Sequence, residues 1–226
     1  MIDSMKINLP LFCTSSILIL LVACSTAPQL STQPLPKSGF LPQYELLKPV
    51  TIKDPDVRVW RYSNPVIDSK SYTGVIVEPI FLNQEATQKI TPEILNKTKD
   101  ALQKSMLEGI QTKDHIKVVT KPGPGVAILS VGITGAETSN DSLQPWNFTP
   151  IGLAINAAAY TTDMNSKTPA MVIEGKIIDS QSKEIISESL AVIKGESFRT
   201  GSGSVESFVE MAKKVVRIAL QTAVNP

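Results

Sequence analysis

At 226 residues, 42% hydrophobic and 19% charged, the chain has enough apolar material for one medium-sized core and too much to stay disordered. A formal net charge of +1 excludes the strong positive field that nucleic-acid binding requires. Its two cysteines, Cys13 and Cys24, both lie near the start, so no internal disulfide is expected to staple the folded part.

Lys6 precedes a short apolar run, Ile17 to Val22, too short to hold across a bilayer but suited to an export signal. Met5 offers an alternative start. The run closes in Leu21-Val22-Ala23-Cys24, which resembles the lipobox cut by the bacterial lipoprotein machinery. Residues 1–23 are therefore predicted to be a signal peptide, cleaved between Ala23 and Cys24. The Cys24 thiolate can take a diacylglycerol as a thioether, and the freed amine can then be acylated, for instance with palmitate. An ordinary signal peptide with a chance cysteine is the alternative. Each buried methylene contributes about 0.8 kcal/mol and one chain holds marginally, so two or three chains would fix the protein to the membrane. Ser25 stands where aspartate would signal inner-membrane retention. By resemblance to enterobacterial lipoproteins, this favours a periplasm-facing site on the outer membrane over the periplasmic side of the inner one.

Residues 24–37 are the lipidated cysteine and a tether rich in Ser, Thr, Gln and Pro, which can reach roughly 40 Å from the lipid. Residues 38–226 are expected to form a single periplasmic domain. Its first part, Ser38 to Pro65, shows little periodicity and reads as a wrapping segment with one short strand, laid over the domain by aromatics. Gly74-Val75-Ile76-Val77, dense in β-branched residues, predicts a strand that ends at Pro79. Thr91-Pro92-Glu93 supplies an N-cap, a proline at the first helical position and an acid in the first turn. With Leu95, Leu102, Met106 and Ile110 at helical spacing, it predicts an amphipathic helix over residues 92–110.

Ile116 to Val119 predict a short strand, Lys121-Pro122-Gly123-Pro124-Gly125 a turn, and the alternation of Ala127, Leu129, Val131 and Ile133 a half-buried strand. Residues 171–178 and 185–193 flank the polar Asp179-Ser180-Gln181-Ser182-Lys183, a hairpin pattern. Val205, Phe208, Val209, Ala212, Val216, Ala219, Leu220 and Ala223 mark the apolar face of a closing helix. Glu206, Glu210, Lys213 and Arg217 mark its other face. This order predicts an α+β fold: a two-layer domain with a mixed, mostly antiparallel sheet and two long helices packed on it.

Several blocks resemble a known group. They are Ser38-Gly39-Phe40-Leu41-Pro42 with Tyr44 and Leu47, then Trp60-Arg61-Tyr62-Ser63-Asn64-Pro65, then Tyr72-Thr73-Gly74-Val75-Ile76-Val77-Glu78-Pro79, and Glu174-Gly175-Lys176-Ile177-Ile178-Asp179. In this order they are similar to the bacterial lipoprotein family catalogued as domain of unknown function 3313, from about Ser38 onward. The resemblance implies an envelope lipoprotein and supplies no activity or catalytic residues. One departure stands out. The family's hairpin turn is of Asp-x-x-Thr-Gly type, whereas this chain has Lys183 in place of the glycine.

No catalytic set is legible. His115, the only histidine, lies between Asp114 and Ile116 in a predicted loop, and no Gly-x-Ser-x-Gly elbow accompanies it. One histidine and no spare thiol leave zinc without its usual ligands, and Asp54-Pro55-Asp56 reads as a solvated turn rather than a calcium loop. Gly201-Ser202-Gly203-Ser204 lacks the third glycine of a phosphate cradle and reads as a linker with Ser204 as N-cap. No metal or cofactor is expected.

Trp146 and Phe148, followed by the apolar stretch from Ile151 and Leu153 to Tyr160, are the candidate contact for a protein partner or apolar ligand. The alternative there is a short buried helix. The sequence thus favours a non-enzymatic binding or adaptor module, held to the membrane through lipid on Cys24 and facing an envelope protein. An envelope hydrolase using His115, Glu78 or Asp179, or a carrier of lipid, are the alternatives.

Overall fold

A computed structural model describes residues 37–139, 167–199 and 201–222. Over these residues the chain builds one eight-stranded sheet with two long helices against one face, the α+β class expected from the sequence. The strands are β1 (Lys48–Val50), β2 (Val57–Ser63), β3 (Gly74–Val77), β4 (Phe81–Leu82), β5 (Lys117–Val118), β6 (Val126–Ser139), β7 (Thr168–Asp179) and β8 (Ile185–Lys194). The helices are α1 (Gln84–Thr87), α2 (Pro92–Gln111) and α3 (Gly201–Thr222). Along the sheet the order is β1-β2-β8-β7-β6-β3-β5, with β4 also paired to β6. The pairs from β1 to β6 are antiparallel, and β3, β4 and β5 join in parallel.

Alternation along the central strands sends their side chains to opposite faces. Met171 and Ile173 of β7, Ala191 and Ile193 of β8, and Val57 and Val59 of β2 meet Leu102 and Met106 of α2 and Phe208, Met211 and Ala212 of α3 in the main core. On α3 the charged residues Glu206, Glu210, Lys213 and Arg217 are exposed, as the periodicity predicts. On α2 the buried face is rotated from the predicted one: Thr98, Leu102, Met106 and Gly109 are buried, while Leu95 is only half-covered. Gly109 explains the rotation, because it lets Leu220 of α3 lie directly on the α2 backbone.

The wrapping segment contributes more than one strand. β2 pairs with β8 over its whole length, from Val57↔Ile193 to Ser63↔Ser187, and β1 extends the sheet beyond it through Lys48↔Arg61, Pro49↔Trp60 and Val50↔Val59. The stretch before β1, Ser38–Leu47, is a strap across the second face of the sheet. Its Leu41, Tyr44 and Leu47 pack with Ala170, Val172, Leu190 and Val192 in a second apolar cluster, flanked by Phe40, Trp60 and Tyr62.

Three further expectations are corrected. β6 runs on past Ile133 to Ser139. Its second half, Thr134-Gly135-Ala136-Glu137-Thr138, lacks large apolar side chains and alternation and is held as a strand by pairing with β7. Helix α3 begins at Gly201, so the Gly-Ser segment is helical and Ser204 is a buried residue inside the helix, not its cap. Tertiary packing overrides the low helix propensity of its glycines. Thr91 does stand at the N-cap of α2, but its hydroxyl makes no capping bond.

The β7–β8 turn shows the cost of the missing glycine. Lys183 has φ +63°, the left-handed region that glycine enters freely. Asp179 holds the turn by accepting from the backbone N–H groups of Gln181 at 2.8 Å and Ser182 at 2.7 Å. Asp54 closes the β1–β2 loop, accepting from Asp56 N at 3.0 Å and pairing with Lys214 of α3 at 2.8 Å. The Asp54-Pro55-Asp56 turn thus ties the sheet edge to the closing helix.

Candidate functional site

The predicted lipidation site Cys24, the cleavage residue Ala23 and the contact residues Trp146, Phe148, Ile151 and Leu153 lie outside the described residues. Within them, the side chains that could carry chemistry are committed to separate tasks. His115 is exposed in the turn between α2 and β5. The Glu78 carboxylate accepts a short hydrogen bond from Ser130 Oγ. Asp179 serves its turn and accepts from the Tyr72 hydroxyl at 2.9 Å. Burial and the neighbouring Asp179 and Glu184 charges push the Tyr72 phenol up to about 12. Among the described residues no group of three or more His, Cys, Asp or Glu side chains could hold a metal ion. No helix among them is long and apolar enough to cross a membrane.

The densest polar constellation lies beneath the strap. Glu174 projects from the middle of β7 toward the strap and is fully buried. Its Oε2 accepts from the Tyr44 hydroxyl at 2.7 Å and from Ser38 Oγ at 2.9 Å, and its Oε1 accepts from Thr134 Oγ1 at 3.0 Å. Thr134 reaches this position because the β6–β7 register shifts between Ile133 and Gly135, and such a bulge re-aims a side chain. Tyr44 Oη in turn accepts from the backbone N–H of Ser38 at 3.1 Å, Gly39 at 3.1 Å and Leu41 at 3.3 Å. Gly39, with φ +83°, lets the chain curl around that hydroxyl.

Burial raises the Glu174 carboxyl above its usual range, and the Tyr44, Ser38 and Thr134 donors oppose that rise by favouring the ionised form. Burial also raises the Tyr44 phenol, with Ser38 opposing and Glu174 reinforcing the shift.

A second acid shares this face. Glu188 of β8 lies opposite Lys176 and next to Tyr62 in the strand register, and it is 1% exposed. Among the described residues neither of its carboxylate oxygens has a hydrogen-bond partner, and nor does the buried Oε1 of Gln43 in the strap. The Gln43 backbone N–H faces the carboxylate and favours its charge without reaching hydrogen-bond geometry. Burial dominates and raises Glu188. Lys176 counters it, and Glu45 and Glu174 add to it. The Lys176 ammonium is itself engaged, donating to the Phe40 carbonyl at 3.2 Å and lying 4.8 Å from the Phe40 ring centroid. That ring stacks on Phe81, centroids 5.5 Å apart, and both rings crowd over Gly132, where a Cβ would meet them at 3.1–3.2 Å.

A separate cleft of about 260 Å³ opens where β6 ends and α3 begins, lined by Lys89, Thr138, Lys167, Phe198 and Arg199 among others. Glu137 lies next to it in β6, its carboxyl raised by burial against the pull of Lys89.

In the sequence, Glu174 stands out only within a block of family resemblance, and Glu188 not at all. A fainter signal was present: each is a carboxylate two residues from a buried apolar neighbour on the same strand face, Val172 beside Glu174 and Leu190 beside Glu188, where a charge is costly unless it is given partners or a proton. Nothing in the sequence indicates that the partners of Glu174 come from Ser38 and Tyr44, 136 and 130 residues away.

Comparison with known proteins finds several relatives. YdcL, an uncharacterized lipoprotein of Escherichia coli, is 26% identical over 202 residues, which cover 87% of each chain. Among solved structures, the PelC dodecamer of Paraburkholderia phytofirmans is similar at TM-score 0.39 and 12% identity, over 71% of this chain and 94% of that one. A DUF4136 family protein of Bacteroides thetaiotaomicron is similar at TM-score 0.40 and 12% identity, over 75% and 97%. Residues 36–221, from the start of the strap to the end of α3, match the family described as protein of unknown function (DUF3313), the family indicated by the sequence blocks. The chain belongs to that family.

Proposed function

We propose that the protein is a lipid-anchored module of the bacterial envelope that works by binding, with Cys24 as its membrane attachment and the outer membrane, periplasmic side, as its site. The Leu21-Val22-Ala23-Cys24 lipobox, Ser25 and the Ser-, Thr-, Gln- and Pro-rich tether sequence support the address, as does similarity to an uncharacterized lipoprotein. The observation that carries the reading is the strap. The segment that follows the tether in sequence is bonded through Tyr44 and Ser38 to a buried carboxylate of a central strand. A pull transmitted from the lipid is therefore borne by the sheet rather than by a loose terminus. Of the acids open to an enzymatic reading, Asp179 is spent on a turn and Glu78 on Ser130, which favours binding over hydrolysis. The envelope partner would be met by Trp146, Phe148, Ile151 and Leu153.

Two measurements test this. Intact mass of detergent-extracted protein should show a chain starting at Cys24 with added acyl weight, and Cys24→Ala should release it to the soluble fraction. A photo-crosslinker at position 146 or 153 in living cells should capture one defined partner, lost in the Phe148→Ala background. An unmodified chain beginning at methionine, or capture of abundant proteins at random, would remove the corresponding half of the proposal.

A further inference from the structure

We infer that the strap is a proton-closed clasp: with Glu188 neutral, Ser38–Leu47 lies down on the sheet, and ionisation of Glu188 lifts it. The geometry is a carboxyl group that the strap seals from water without satisfying. Glu188 is 1% exposed, and among the described residues both its oxygens lack partners. Among the described residues the groups that face it come from each neighbouring element: Lys176 and Glu174 from β7, Tyr62 from β2, and Glu45 and Gln43 from the strap. Two of the three charged groups in this set are acids. The one cation, Lys176, is shared with the Phe40 carbonyl and ring. Glu174 is different, because its three hydroxyl donors let it stay closed in while charged. Glu188 has no such set, and a buried carboxylate without donors is far more costly than the neutral acid.

The direction follows from linkage. With the strap lifted, Glu188 meets water and titrates near the ordinary glutamate value of 4.5, and with the strap down its value is raised. The closed state therefore binds more protons. Closure is strongest below 4.5 and weakens as pH rises toward the raised value, by at most about tenfold per pH unit for one proton. Opening frees the ten residues of the strap to extend the tether by roughly 30 Å. It also uncovers Val172, Leu190, Val192 and Trp60. The clasp is a property of the folded domain, so it stands or falls independently of the Cys24 anchor.

Amide hydrogen exchange on the full chain between pH 4 and 8, corrected for the intrinsic pH dependence of exchange, tests it. The reporters are the Ser38, Gly39 and Leu41 amides on the Tyr44 hydroxyl and the Leu47 amide on the Tyr44 carbonyl. Their protection should fall as pH rises, while amides of the β6–β7 ladder keep theirs. Glu188→Gln, which keeps shape and stays neutral, should hold strap protection high and flat, and Glu188→Leu should do the same if the glutamine variant folds poorly. The inference is overturned by strap protection that is constant with pH in the unmodified chain. It is equally overturned by a fall shared with the β6–β7 ladder, or by parallel curves in the variants.

Discussion

The Tyr44 hydroxyl and the Glu174 carboxylate meet at 2.7 Å across 130 residues of sequence, joining the strap to the centre of the sheet. Tyr44 is a donor to Glu174 and at the same time the acceptor for three backbone amides. Tyr44→Phe removes both roles at once and leaves Glu174 buried with one fewer donor. Loss of about 1–3 kcal/mol is expected, read as a lower denaturant midpoint at unchanged slope. A midpoint within error of the parent would show that the hydroxyl is dispensable.

Asp54 gives a prediction of opposite pH sense to the clasp. Burial acts to raise its carboxyl, but the bond and charge of Lys214 and the Asp56 amide prevail and hold it below the ordinary value of 3.8. The folded state thus binds fewer protons here. The contribution is complete above 3.8 and is lost as pH falls through the lower folded value. The pair is partly exposed, so its worth is at most about 1 kcal/mol. Asp54→Asn should lower stability at pH 7 by that amount and converge with the parent in acid, as followed by urea melts at pH 7 and pH 2.5.

Lys183 sits at φ +63° in the β7–β8 turn. Lys183→Gly should stabilise the protein by about 0.5–1 kcal/mol, even though it gives up the bond from Lys183 Nζ to Ser180 O at 2.7 Å. Lys183→Ala loses that bond and keeps the strain, so thermal melts should rank Gly above Lys and Lys above Ala.

Gly195, just beyond β8, has no room for a side chain. A Cβ there would meet Ser207 Oγ at 2.6 Å, Met211 Sδ at 2.9 Å and Pro169 Cγ at 2.9 Å. The proline ring cannot swing away, so Gly195→Ala should cost about 1–3 kcal/mol through displacement of α3 from the sheet. Addition of Ser207→Ala should recover part of that loss.

Local pattern made the elements legible and left their long-range partners hidden. Pro92, Leu102 and Met106 announced α2 because helical spacing and a proline at the first position are local signals. The second half of β6 was not announced, since Thr134 to Thr138 have no alternation of their own and are strand only because β7 lies alongside. Helix α3 was recognised by Phe208, Ala212 and Val216, yet its first turn was hidden by the glycines of residues 201 and 203. Of the candidate site, Glu174 and Glu188 were visible as acids at alternate positions to the apolar Val172 and Leu190. Their unequal treatment, one with three donors and the other with none, depends on a strap whose position no spacing rule gives.

Pro49 occupies the middle of the outermost strand, exposed and flanked by the exposed Lys48. A ring nitrogen offers no hydrogen to an incoming backbone, and a lysine beside it repels its own image. Copies of this protein crowded onto a common surface would therefore find that rim closed to edge-on zippering, and the sheet can remain finite at high two-dimensional density.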